Sequence, residues 1–284
     1  ARENQWGFVD FNRPMVAINQ WEQAEDSMYT LCGKDRIHPS TDGHLVMAYL
    51  FLKAQGLAGK PVADIRIDGA GKKVTRSDNC RVSDLSVSSD NLTFTYEAKS
   101  LPYPIDTSYY DNEKHTQADA LSVIPFMDEM NYEGLSVSGL SDGYYGLTIG
   151  GEFIGRFTAR ELERGINMAL LQNTPQYKQA MKIRQMNEER WLKERKMREF
   201  YWVEYNLMRK TGMLWACNEA AVDTLRKYRP HDIFLQWNGA LWLQYMHKGI
   251  REDCVNEQQD LVNQIYEQNK PIPLQIEIKK FTDL

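Results

Sequence analysis

The chain has 284 residues, a length typical of about two domains, and its composition is 42% hydrophobic and 26% charged. These proportions exclude a disordered chain, a collagen-like fibre and a small scaffold held by disulfides. With 34 basic and 39 acidic side chains the net charge is −5, so the protein has no overall attraction to nucleic acid or to anionic membranes, and no uninterrupted apolar run is long enough to span a bilayer.

Residues 1–56 have the pattern of α/β material and form the first predicted domain. The short apolar run Trp6–Phe11 is typical of a buried strand. One helix is predicted over residues 14–26, and a strongly apolar second helix over 43–55. Between them lies a polar loop, residues 31–42, whose last residues can cap the second helix. The pattern therefore places a polar loop directly before a buried helix.

Residues 57–157 are predicted to form a β-rich domain, because apolar and polar residues alternate over several short runs. The predicted strands are Val62–Ile67, Arg81–Val87, Leu92–Tyr96, Leu135–Val137, Tyr144–Ile149 and Glu152–Phe157. Tight turns are predicted at Asp90-Asn91 and Gly150-Gly151. An irregular segment, residues 101–115, is rich in proline, tyrosine and aspartate, and we interpret it either as a functional loop or as a plain surface excursion.

Residues 158–284 are predicted to form a helical extension with a final strand. Thr158–Glu161 has the sequence of a capping box and opens a helix over 162–171. Further helices and the last strand are predicted over 175–210, 217–228, 231–248, 252–268 and Leu274–Ile278. The middle of the long helix is dense in charge. Because glutamates interleave with its arginines and lysines, we interpret it as a solvated face rather than a nucleic-acid site.

The four cysteines, at positions 32, 80, 217 and 254, are widely spaced and form no C-x-x-C pair. Two disulfides are possible, but dispersed buried thiols fit the spacing better. A zinc site is not predicted, since no histidine lies near them at ligand spacing.

One loop carries residues with a catalytic pattern, Asp35-Arg36-Ile37-His38-Pro39. An aspartate three residues before a histidine can fold back and accept the imidazole Nδ1–H, which fixes the tautomer and leaves Nε2 to accept a proton. Pro39 disfavours a helical conformation at His38, so the histidine is predicted to lie in an extended or turn segment before the helix. His44 is predicted to support packing or the loop rather than catalysis. The alternative is that Asp35 and His38 are structural, since a pair with this spacing arises often by chance.

The run Asp35–Ala48 (DRIHPSTDGHLVMA) resembles the last motif block of the SGNH hydrolases, also called GDSL esterases or lipases, in which D-x-x-H-P is followed by G-H and a terminal helix. The resemblance implies a flavodoxin-like α/β fold and a Ser-His-Asp triad, with His38 as general base and Asp35 as its orienting acid. A looser likeness is to the C-terminal extension of SGNH proteins from gut Bacteroidetes, over the short stretches Gly146–Ile149, Gly155–Phe157, Glu161–Ala169 and Asn173–Pro175. The expected fold is thus a partial flavodoxin-like SGNH domain (1–56), a β-rich domain (57–157) and a helical extension (158–284).

The chain departs from the family pattern in its missing nucleophile. No Gly-Asp-Ser occurs, and the Gly and G-x-N-D blocks that supply the oxyanion donors are also absent. A flavodoxin-like SGNH domain needs on the order of 200 residues, whereas 56 precede the β-rich zone. The chain also begins with Ala-Arg-Glu-Asn rather than Met. We therefore expect it to be the C-terminal portion of a longer hydrolase and to be inactive alone.

The resemblance implies that the intact protein cleaves an ester, removing an acetyl or other short acyl group from carbohydrate without a cofactor. It also implies a periplasmic or secreted location, with the N-terminal part of the same protein as partner and no nucleic acid. The rival interpretation is a non-catalytic module that binds carbohydrate or protein through exposed aromatic rings in the β-rich zone. The candidate rings for that role are Tyr103, Tyr109, Tyr110, Tyr144 and Tyr145.

Overall fold

A computed structural model describes residues 2–109 and 115–281 of the chain. Its α-helices are α1 (Asn12–Glu22), α2 (Thr41–Ala54), α3 (Phe126–Glu129), α4 (Ala159–Arg164), α5 (Pro175–Val203), α6 (Glu219–Tyr228), α7 (Ile233–Tyr245) and α8 (Lys248–Gln268). Its strands are β1 (Ala63–Asp68), β2 (Lys73–Asp78), β3 (Cys80–Val87), β4 (Asn91–Ala98), β5 (Glu133–Ser138), β6 (Tyr144–Ile149), β7 (Glu152–Thr158), β8 (Ile166–Asn167) and β9 (Leu274–Lys280). The protein is therefore a mixed α/β structure with a helical C-terminal region.

The described chain separates into two compact units. The first, the strand-rich unit, holds the described residues up to Ala180 together with those from Lys270 onward. The second, the helical unit, is Met181–Asn269. The predicted division of the chain at residues 56 and 157 follows sequence pattern and stays a prediction.

The strand-rich unit contains two sheets. One has the strand order β2-β1-β5-β8, and in it β1 and β5 run parallel. The other has the order β3-β4-β9-β6-β7, with antiparallel pairs throughout. The C-terminal strand β9 lies in the middle of this second sheet, between β4 and β6. Its alternating residues Leu274, Ile276 and Ile278 are buried with those of its neighbours, as the period of a strand with one buried face requires.

Helix α2 is the main apolar element of residues 2–56. Its side chains Leu45, Val46 and Tyr49 are buried in a cluster with residues of α3 and the segments around it. Gly43 allows this packing, because a Cβ there would lie 2.0 Å from the carbonyl oxygen of Leu31. Helix α1, by contrast, buries none of its residues fully.

Two sequence predictions are wrong in detail, and one strand was not predicted. Trp6–Phe11 forms no strand among the described residues, and Trp6 and Phe8 expose 70% and 73% of their surface. The helix predicted over 162–171 ends at Arg164, because Gly165 adopts φ +93° and the chain turns into β8. Strand β2 was not predicted, since it is exposed on both faces and has no apolar alternation.

The helical unit has its own core. Residues of α5, α6, α7 and α8 and of a π-helical segment, Glu204–Met208, surround the fully buried Trp242. Its indole Nε1–H donates to Glu204 Oε1 at 2.8 Å. Among the described helices, none combines the length and apolar character that crossing a bilayer requires. All four cysteines are free thiols, and those at 80 and 254 are buried.

Candidate functional site

The loop with the catalytic pattern is a tight excursion whose two ends lie side by side. Cys32 and Pro39 form an isolated antiparallel bridge, and the Gly33 N–H donates to the His38 carbonyl at 2.7 Å. At the tip Arg36 adopts the left-handed region, with φ +56°, and its N–H donates to the Gly33 carbonyl. The backbone of the loop is thus fixed by its own hydrogen bonds before any side chain is considered.

Asp35 and His38 are brought together by this fold. His38 Nδ1 lies 2.6 Å from Asp35 Oδ2. The other carboxylate oxygen, Oδ1, accepts the backbone N–H groups of Ile37 and His38 at 2.9 and 3.1 Å. The backbone of the loop therefore fixes the Asp35 carboxylate, and the carboxylate in turn orients the His38 imidazole.

These contacts hold the pKa of Asp35 down to about 2, the hydrogen bond with His38 being the largest cause and the two backbone N–H groups the next. An ionised carboxylate only accepts hydrogen bonds, so Nδ1 carries the proton and Nε2 of neutral His38 is the acceptor nitrogen. The His38 side chain is 84% exposed, and that of Asp35 46%. The arrangement is an oriented imidazole whose Nε2 faces out of the described part of the chain.

Behind the loop a buried carboxylate fixes its junction with α2. Asp42 is almost fully buried, and it accepts hydrogen bonds from the Ser40 hydroxyl and from the Gly43 N–H. The Ser40 N–H donates to the carbonyl of Leu31 at 3.0 Å, and Ser40 Oγ lies 3.0 Å from the same carbonyl oxygen. His115 approaches the same carboxylate, with Nδ1 3.5 Å from Asp42 Oδ2. The position of the loop is thereby tied to the first turn of a buried helix.

Ser40 is two residues from His38, but its hydroxyl lies inside the protein, within hydrogen-bond distance of the Leu31 carbonyl and the Asp42 carboxylate. It therefore cannot serve as the nucleophile that His38 would activate. His44 lies exposed on α2, outside the pair. Within residues 2–109 and 115–281, no group of three or more histidine, cysteine, aspartate or glutamate side chains is arranged to hold a metal ion.

Of the four tyrosines of the rival interpretation that the structure describes, Tyr103, Tyr109 and Tyr144 are exposed and Tyr145 is not. Tyr145 is buried, and its hydroxyl donates to the Ser141 carbonyl at 2.9 Å. The ring of Tyr144 is covered by the guanidinium of Arg156, 3.8 Å from its centroid. Tyr103 packs edge-on against Phe126, and Tyr109 is exposed. Tyr110 lies outside the described residues.

The sequence did not predict a buried polar cluster around one carboxylate, Glu133, in the strand-rich unit. Glu133, at the start of β5, is fully buried, and its Oε1 accepts the Tyr96 hydroxyl at 2.8 Å. The amide of Gln176 makes longer contacts, of 3.3 and 3.4 Å, with both carboxylate oxygens. Burial raises the pKa of Glu133 to about 7. No local pattern signals this cluster, because its members are far apart in the chain.

Comparison with known proteins gives two matches. Residues 181–270, which nearly coincide with the helical unit, match the model of a family described as the diltiazem deacetylase C-terminal helical domain. A solved structure of a gut microbial diltiazem-metabolizing enzyme is 42% identical and superposes with a TM-score of 0.93. The similarity covers 99% of this chain and 64% of that enzyme. No curated protein matches. Over almost its whole length, the chain thus has the fold of a part of that enzyme.

Proposed function

We propose that the intact protein is a serine ester hydrolase of the SGNH type, in which Asp35 and His38 form the acid–base part of the triad. The observation that carries the proposal is the 2.6 Å contact between Asp35 Oδ2 and His38 Nδ1, which leaves Nε2 exposed. The similarity to a diltiazem-metabolizing enzyme and to a diltiazem deacetylase family supports ester hydrolysis independently of the loop. The SGNH type itself rests on the sequence resemblance of Asp35–Ala48 to that family.

In the proposed mechanism a serine hydroxyl attacks the ester carbonyl while His38 Nε2 accepts the hydroxyl proton. The imidazolium that forms is stabilised by Asp35, which stays ionised because its pKa is about 2. His38 then returns the proton to the alkoxide oxygen of the alcohol as the carbon–oxygen bond breaks. In the second half, His38 Nε2 accepts a proton from water as the water oxygen attacks the carbonyl carbon of the acyl-enzyme. The bond between that carbon and the serine Oγ then breaks, and His38 returns the proton to Oγ, which releases the acid and regenerates the serine.

We infer that the nucleophile and the oxyanion donors lie outside these 284 residues. Ser40, two residues from the base, is committed to buried partners. The apolar surface of Trp6, Phe8 and Trp21 is largely exposed, although Trp6–Phe11 has the sequence of a buried strand. A further layer of an α/β domain would cover these side chains and place a serine against His38.

The substrate class that we propose is an acetyl or other short acyl ester. The names of the two matching proteins, which concern diltiazem and its deacetylation, support acetyl as the acyl group. The alcohol that we propose is a carbohydrate, on the strength of the SGNH resemblance.

The test is hydrolysis of p-nitrophenyl acetate and of an acetylated xylan by the intact protein and its His38→Ala variant. Removing the base is expected to lower kcat/KM by roughly 10⁴-fold, with the fold unchanged by circular dichroism. The matched control is His44→Ala, because His44 is exposed on the adjacent helix α2 and lies outside the pair. Near-normal turnover by His38→Ala, or an equal loss in both variants, would refute the assignment.

A further inference from the structure

We propose that the helical unit contains a binding site for a neutral sugar, formed between α5 and α7 around Trp191 and Trp202. The site is a shallow cavity of ≈ 270 Å³ that is open to solvent and is lined by six residues. These are Trp191, Arg195, Arg198, Glu199, Trp202 and Asn238. Its volume is just below the roughly 300–1,000 Å³ typical of small-molecule pockets, so one sugar ring fits better than a larger group.

The lining residues of α5 share one face of that helix. Trp191, Arg195, Arg198 and Trp202 follow the i, i+4, i+7, i+11 spacing, which brings side chains onto one stripe. Such a stripe normally packs against a neighbour, but here the ring of Trp191 is 46% exposed. The indole of Trp191 is thereby exposed to solvent, and the partly buried indole of Trp202 joins the stripe to the core of the helical unit.

The aromatic surface continues from the cavity along α7. The ring of Trp202 packs against Phe234 at 5.3 Å between centroids, and Phe234 packs edge-on against Trp237 at 5.4 Å. Trp237 is 65% exposed. Exposed aromatic rings in contact with one another form an extended apolar strip, which is a mark of a binding surface.

The charges around the cavity favour a neutral ligand. Arg195 Nε donates to Glu199 at 2.7 Å. The guanidinium of Arg198 lies 5.4 Å from the Trp191 ring and 3.6 Å from Glu194, a carboxylate that it shares with Arg190. The carboxylates that pair with both guanidiniums weaken their attraction for an anionic ligand. The two guanidiniums themselves repel a cationic ligand. The remaining donors and acceptors suit hydroxyl groups.

Asn238 supplies the uncommitted polar group of the cavity. Its side-chain amide has no hydrogen-bond partner among the described residues. A pyranose ring has C–H groups on its face and hydroxyls at its rim, so it matches indole faces flanked by an amide and ion-paired guanidiniums. This combination assigns the cavity to the neutral, polyhydroxylated class of ligand, and the assignment does not depend on the proposed esterase activity.

The experiment is isothermal titration calorimetry of the full chain with cellohexaose, xylohexaose and mannohexaose, and with the anionic trigalacturonate. We expect at least one neutral oligosaccharide to bind, and Trp191→Ala and Asn238→Ala each to weaken it about fivefold or more. The matched control is Tyr266→Ala, which removes an exposed ring of α8 that is not part of the cavity. It is expected to leave the affinity within about twofold.

Three results would overturn the proposal. One is the absence of binding by every neutral probe to a chain that circular dichroism shows to be folded. Another is equal binding of trigalacturonate with the same sensitivity to Trp191→Ala. The third is concentration-dependent self-association that Trp237→Ala abolishes while no sugar binds, because the strip would then be an interface between copies of the chain.

Discussion

Replacing Glu133 by glutamine is expected to stabilise the strand-rich unit at neutral and alkaline pH and to change little at pH 4. The carboxyl group is fully buried, with the Tyr96 hydroxyl at 2.8 Å and the Gln176 amide at 3.3 Å as its polar partners. Burial penalises the charged form and raises the pKa to about 7, and the two hydrogen bonds only partly oppose this. A glutamine retains an acceptor for the Tyr96 hydroxyl without carrying the charge.

The sign follows from the direction of the pKa change. In the unfolded chain Glu133 loses its proton near pH 4.5, whereas in the folded protein it keeps the proton until about pH 7. Stability from this group is therefore fully present below pH 4.5 and is lost as the pH rises through 7. The separation of the two pKa values corresponds to about 3 kcal/mol of unfolding free energy. The Glu133→Gln variant lacks this loss.

The assay is native-state hydrogen exchange of the β1 and β5 amides at pH 5 and pH 8, since it reports the opening free energy of the strand-rich unit separately from that of the helical unit. The variant is expected to gain about 2–3 kcal/mol over the wild type between the two pH values. Glu97→Gln, a control at a surface glutamate on β4, is expected to show no such gain. An equal pH dependence in the wild type and Glu133→Gln would refute the reasoning.

Three further predictions concern other parts of the chain. Gly43→Ala is expected to destabilise the protein by about 1–3 kcal/mol in thermal unfolding, because the new Cβ would meet the Leu31 carbonyl at 2.0 Å, and an unchanged melting temperature would contradict this packing. In His38→Ala the pKa of Asp35, followed by ¹³C NMR of its carboxyl, is expected to rise from about 2 toward its usual value, and a constant pKa would mean that the imidazole is not its main partner. Glu204→Ala is expected to lower the unfolding free energy of the helical unit by about 2 kcal/mol, because the buried indole N–H of Trp242 and the backbone N–H of Trp215 lose their acceptor. Hydrogen exchange in this unit at the rate of the wild type would show that the two contacts contribute little.

Local pattern was sufficient to predict the elements whose burial follows a single period. The alternation in β4 and in β9 identified both strands, and the box Thr158–Glu161 opens α4 with both of its hydrogen bonds in place. The sequence pattern did not predict the bounds of elements that depend on tertiary contacts or on a single backbone conformation. Strand β2 is held by pairing with β1 alone, and the left-handed Gly165 ends α4 well before its apolar spacing does.

The candidate site likewise contains one contact that the sequence predicted and others that it did not. The proximity of Asp35 and His38 is encoded within five residues, because the loop closes on itself and its backbone donors hold the carboxylate in place. The contact of His115 with Asp42 and that of Tyr96 with Glu133 join distant segments, so no spacing in the sequence reveals them. The cavity of the helical unit could be predicted only in part. The spacing of its α5 residues is apparent in the sequence, but the solvent exposure of Trp191 is not.

We propose that the Asp35–His38 pair activates a serine outside these 284 residues. It is tested most directly by labelling the intact protein with a fluorophosphonate and mapping the modified peptide by mass spectrometry. We predict that one serine outside these 284 residues is labelled. The rate of labelling is expected to fall by several orders of magnitude in His38→Ala and to stay unchanged in His44→Ala. A label on a serine within the 284 residues, or labelling indifferent to His38, would contradict it.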